Sequence, residues 1–171
     1  MLMEFLKILL PSLLVFLAGY LAIDRLLREE ANRRRTEITL GSQKLSLPIR
    51  LQAYERVTLF LERISPESLL VRVNEPGMSV HKMQSTLLSN IRAEWEHNLS
   101  QQLYISNEAW ELVKNAKDNV VKLISISAEK INPKEQSMAL SQSILEKLVE
   151  LEQHPTAIAI DFLKREVKEL F

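Results

Sequence analysis

The chain reads as an all-α protein: one N-terminal transmembrane helix followed by a cytoplasmic helical domain of about five or six helices. Three observations predict this class. Residues 8–23 (ILLPSLLVFLAGYLAI) carry no charge, and Leu2, Met3, Phe5 and Leu6 precede them while Leu26 and Leu27 follow. Such a stretch is long enough to cross a bilayer as a single helix. From Pro48 onward, apolar residues recur at helical spacing in successive segments, each opened by a cap or a proline. The chain has three glycines and no low-complexity run, which favours packed helices over a disordered tail. The expected division is a membrane anchor over 1–24, a basic juxtamembrane helix and linker over 25–47, and the helical domain over 48–171.

The anchor's apolar surface is expected from Ile8, Leu9, Leu10, Leu13, Leu14, Val15, Phe16, Leu17 and Leu21. A cleaved signal peptide is the competing reading. It calls for a basic start, a shorter apolar stretch and small residues before the cut. Here the start holds Glu4 and Lys7, and no good small-residue site precedes the basic stretch. An uncleaved span fits better. Pro11 lies in its first turns, where a lipid-embedded helix tolerates proline.

Orientation follows from the flank. Arg25, Arg28, Arg33, Arg34 and Arg35 come after the span, against Lys7 and the terminal amine before it. Basic residues close to a span stay in the cytoplasm, so the N-terminus is expected outside and the domain inside a bacterial inner membrane. The same arginines can meet anionic headgroups, at about 1 kcal/mol per basic group near the surface. Glu29 and Glu30 weaken that contact. The chain has no cysteine, which is compatible with a reducing compartment.

Residues 36–47 (TEITLGSQKLSL) alternate apolar and polar around Gly41-Ser42-Gln43, which suits a short hairpin or an extended linker. Pro48 then opens the first strong helix. Its stripe is Ile49, Ala53, Val57, Phe60 and Ile64, flanked by Tyr54 and Leu61. Arg50 points into this apolar arc, and Leu59 points into the polar one. Ser65-Pro66 opens a short helix and Asn74–Gly77 a turn. Ser79 caps a helix with Val80, Met83, Leu87, Ile91 and Trp95 on one side. Ser106 caps the next, with Ala109, Trp110, Val113, Ala116, Val120, Leu123, Ile124 and Ile131 facing the core. Asn132–Glu135 resembles an N-cap with its reciprocal acid. The fifth helix is expected to bury Met138, Ser141, Ile144, Leu145, Leu148 and Leu151. A last helix follows His154-Pro155, with Ile160, Leu163, Val167, Leu170 and Phe171 on one face and Ile158 and Phe162 on another.

Charge and motif content narrow the function. Residues 1–35 take six of the 22 basic and four of the 22 acidic residues, which leaves 16 and 18 for residues 36–171. A domain so balanced has no electrostatic case for nucleic acid. His81, His97 and His154 lie in separate segments without metal-helix spacing. No Gly-rich phosphate loop and no G-x-S-x-G elbow occurs. No enzyme, cofactor or metal site is therefore expected. The residues singled out as a partner surface are Arg50, Glu55, Leu59, Glu62 and Arg63. Arg50 either snorkels from the first turn or pairs with a carboxylate in a polar cluster.

The segment LPIRLQAYERVTLFLERISPESLLVR resembles the signature of an uncharacterised family of small single-span bacterial membrane proteins. Leu47, Pro48, Arg50, Gln52, Ala53, Tyr54, Glu55, Arg56, Leu61, Glu62, Arg63 and Pro66 carry the resemblance. It implies no known activity. The leading expectation is a membrane-anchored helical interaction or scaffold protein, a subunit of a larger membrane complex, with the lipid bilayer and one or more proteins as partners. The alternatives are a site assembled from scattered residues, catalytic or ligand-binding, and a self-associating structural protein, that is, a homo-oligomer.

Overall fold

The computed structural model describes the backbone of residues 2–170, with the side chains of 16–17, 19–30, 33–34 and 46–170. The described residues form six α-helices and no strand: α1 (Leu2–Arg63), α2 (Pro66–Val73), α3 (Val80–Asn98), α4 (Asn107–Ala128), α5 (Ser137–Glu150) and α6 (Ala157–Lys168). A 3-10 turn over Leu99–Leu103 links α3 to α4. The chain divides into two compact units, Met1–Leu47 and Pro48–Phe171. Among the described residues no helix is long and apolar enough to cross a membrane. The side chains of Ile8, Leu9, Leu10, Leu13, Leu14 and Val15, two thirds of the expected anchor residues, lie outside the described residues.

The second unit is built as its stripes dictate. Ala53, Val57, Phe60, Leu61 and Ile64 of α1 are buried together with Val80, Met83, Leu87 and Ile91 of α3. Val113, Val120 and Ile124 of α4, Leu140 and Ile144 of α5, and Leu163 of α6 close the same core. Burying each such side chain is worth about 1.5–3 kcal/mol. Phe60, Trp95 and Trp110 continue the core as an aromatic row, with ring centroids 5.7 and 4.7 Å apart. Lys117 Nζ lies 4.7 Å from the Trp95 ring centre and covers its outer face. Ser79 and Ser106 cap α3 and α4, accepting from Lys82 N at 3.3 Å and Ala109 N at 3.0 Å. Each such cap contributes about 1 kcal/mol. Gly77 alone among the described residues takes a positive φ, 77°, in the turn before α3.

Three expectations change. Residues 36–47 are helical and belong to α1, so they form no hairpin. The apolar positions explain the ambiguity: Ile38 and Leu40, like Leu45 and Leu47, are two apart as in a strand, while Ile38 and Leu45, like Leu40 and Leu47, are seven apart, the spacing of two helical turns. Pro48 accordingly sits inside α1 and does not open a helix. Second, Asn132–Glu135 is not the first turn of α5, which begins at Ser137. Asn132 Oδ1 accepts from Lys134 N in a local turn. The Pro133 and Glu135 carbonyls are taken by His81 N and Val80 N, so the segment straps the start of α3. Third, α5 is rotated relative to the expected stripe. It buries Ser137, Leu140, Ile144 and Leu148, while Met138, Leu145 and Leu151 are exposed. With α5 starting later, the apolar register that packs is the one meeting α3 and α4. Its other apolar edge is left to solvent.

Candidate interaction surface

Within the second unit, the residues following Pro48 on α1 and the last two turns of α6 flank a groove of about 640 Å³. Leu51, Tyr54, Glu55, Thr58, Leu59 and Glu62 form one wall. Leu163, Lys164, Val167 and Lys168 form the other. The helical period places these side chains. Glu55, Leu59 and Glu62 share one edge of α1, a turn apart, because its opposite edge carries Val57, Phe60 and Ile64 into the core. Lys164 and Lys168 are one turn apart beside the buried Leu163 on α6. The result is an apolar strip with an acidic wall and a basic wall. Leu59 is 55 % exposed along it.

The five expected surface residues separate in three directions. Glu55, Leu59 and Glu62 come together in the groove. Arg63 turns away and pairs with Glu94 of α3 at 2.6 Å. Arg50 is half-buried, and its Nε donates to the Tyr104 carbonyl at 3.3 Å, tying α1 to the link between α3 and α4. Arg50 also stands beside Tyr54, whose other neighbour is Glu166 of α6. Neither meets hydrogen-bond geometry with the hydroxyl, so Tyr54 Oη and Glu166 Oε2 are buried without a partner. Burial pushes the Tyr54 hydroxyl above its ordinary value of 10.0. The Glu166 carboxylate pushes it the same way, and the Arg50 guanidinium opposes both.

The basic stretch is exposed where it is described. Arg28 pairs with Asp24 at 2.9 Å and Arg34 with Glu30 at 3.2 Å, each one turn away. Arg25 and Arg33 are exposed, and the Arg35 side chain lies outside the described residues. Phe16, Leu17 and Leu21 of the expected anchor are exposed. Among the described residues no cluster of three or more His, Asp or Glu could hold a metal ion. His154 Nδ1 instead meets Glu67 Oε1 at 3.2 Å.

Lys164, Lys168, Leu163 and Val167 were not expected at a site. Their signal was present as the lysine pair at i, i+4 bordering the α6 stripe. Which helix that stripe would meet is a long-range property that no local pattern carries.

An α-helical domain whose surface groove joins its first and last helices defines a class by shape alone. The chain belongs to a family of unknown function, DUF7935, whose model matches residues 1–170. No curated protein and no solved structure matches it.

Proposed function

We propose that this chain is a membrane-anchored helical interaction protein, a subunit that holds its C-terminal domain at the cytoplasmic face of a bacterial inner membrane. The groove between α1 and α6 carries the reading. It presents an apolar strip between opposite charges, and Leu59 is the exposed residue that a partner would cover. The anchor is supported by the uncharged run Ile8–Ile23, and its direction by the five arginines that follow. Pairing with Asp24 and Glu30 uses part of the charge of Arg28 and Arg34, which makes them a topology signal more than a lipid-binding cluster. The domain works by binding. Its sequence offers no nucleophile elbow or phosphate loop on which chemistry could be built.

The test is chemical cross-linking of the full chain in its native membrane. A discrete adduct is expected, and Leu59→Asp should remove it. Absence of any adduct with the wild-type chain would overturn the reading. Topology is checked separately with Ser125→Cys, an exposed position in a chain without cysteine. Resistance to an impermeant maleimide in intact cells is expected, and ready labelling would place the domain outside.

A further inference from the structure

The groove's two walls carry opposite charge. Glu55 and Glu62 stand on α1, and Lys164 and Lys168 on α6, with Leu51, Leu59, Leu163 and Val167 between them. We infer that this face docks on a second copy of the same chain, about a two-fold axis running parallel to the groove. The inference rests on the interaction reading above and names its partner.

The charge pattern selects both the partner and the axis. Rotation about an axis along the groove turns the face over and exchanges its walls. The acidic wall of one copy then meets the basic wall of the other, twice over. An axis across the groove would instead set Glu55 and Glu62 against their own equivalents. Isologous contacts of this kind need one surface that complements itself, and this face does. The second copy's half-buried Val167 covers Leu59, and the two pairs of helices stack as a four-helix layer packed through one apolar strip. A two-fold along the groove also leaves the α1 segments of the two copies running in the same direction. Both Pro48 ends then emerge on one side, as two chains anchored in one bilayer require.

The experiment uses the full chain in detergent micelles. The protein mass in the complex is read by light scattering after size exclusion. The wild type is expected at twice the chain mass of 19.8 kDa. Glu55→Lys with Glu62→Lys makes both walls basic, and Lys164→Glu with Lys168→Glu makes both acidic. Each double variant should lose dimer affinity by about 100-fold or more, because every cross-copy pair becomes repulsive. Mixed in equal amounts, the two should recover a dimer holding one copy of each, and the quadruple variant should dimerise alone. Circular dichroism of each variant separates loss of contact from loss of fold.

A monomeric wild type overturns the inference whatever the variants do. So does a dimer that survives both double reversals, which would place the contact on another face. Failure of the mixture and of the quadruple variant to dimerise overturns the charge pairing. A monomeric wild type that still gives a Leu59-dependent adduct with another polypeptide in membranes would leave the interaction reading standing with a different partner.

Discussion

Two stretches of α1 carry similar apolar residues and treat them in opposite ways. In the first unit Phe16, Leu17, Tyr20, Leu21 and Ile23 are all more than half exposed, Phe16 by 74 %. In the second, Phe60, Leu61 and Ile64 are buried to within 1 %. The apolar residues themselves do not separate them; the residues that share the helix with them do. Around the first set no charged residue occurs on any side of the helix from residue 8 to residue 23, so that stretch has no charged face to turn to water. An all-round apolar helix is satisfied by an apolar surrounding such as lipid. The second set forms one stripe, which a layer of helices covers while the other edge faces water. The difference teaches that what occupies the rest of the helix, more than the number of its apolar residues, decides what a helix needs as its solvent.

The largest expected effect breaks the second region. Phe60→Ala removes a fully buried ring that touches the Trp95 row. It should cost about 3–5 kcal/mol in denaturant melts, which can exceed a third of a small domain's stability. A loss below 1 kcal/mol would mean that the stripe is not the core. The matching change in the first region is Leu17→Arg. A charge near the middle of a span costs about 2.5–3.5 kcal/mol of insertion. It should shift the chain from the membrane pellet toward the soluble fraction while leaving the domain's melt unchanged. Full retention in the membrane would show that residues 8–23 are not the anchor.

Local pattern made most of the second unit legible. The stripes of α1, α3 and α4 are buried or half-buried except for Ile49, which is exposed, and Ser79 and Ser106 cap the helices that they precede. What escaped was long-range. The pairing of Val80 N with the Glu135 carbonyl joins residues 55 apart, so Asn132–Glu135 looked like a helix cap when it is a strap. Met138 and Leu145 lie on an apolar edge of α5 as plausible as the one that packs, and only the positions of α3 and α4 choose between them. The same holds for the candidate surface. Glu55, Leu59 and Glu62 were readable as one edge of a helix, whereas their meeting with Lys164 and Lys168 depends on where the last helix docks.

A smaller effect tests the polar contact beneath the groove. Tyr54→Phe deletes a buried hydroxyl that has no hydrogen-bond partner. Stability near pH 7 should hold or rise by up to about 1 kcal/mol, since an unsatisfied buried group is a cost. The pH dependence gives a second readout. The native-state value of Tyr54 is raised above 10.0. Below pH 10 the hydroxyl is protonated in both states and contributes no slope. Above it the unfolded chain releases the proton first, so stability falls as pH rises toward the native value. Tyr54→Phe should flatten that alkaline fall. A loss of more than about 1 kcal/mol at pH 7 would show instead that the hydroxyl bonds Arg50 or Glu166.

The smallest expected effect on the fold is at Leu59, and its smallness is the point. Leu59 is flanked in sequence by Thr58 and the buried Phe60, yet it is 55 % exposed because one residue of helix turns it about 100° away from the core. A surface change of this kind stays within about 0.5 kcal/mol. Leu59→Asp should therefore melt with the wild type. Its added charge joins Glu55 and Glu62 on the acidic wall, which raises repulsion there slightly and no more, since all three are exposed to water. Against a partner the same aspartate is costly, because docking would strip its charge of water where leucine makes an apolar contact. Separate measurements of the melt and of association thus divide the two uses of α1. A melt lowered by several kcal/mol would put Leu59 in the core and erase the boundary between the packed edge and the free one. An unchanged melt with unchanged association would keep the boundary and move the binding face elsewhere on the domain.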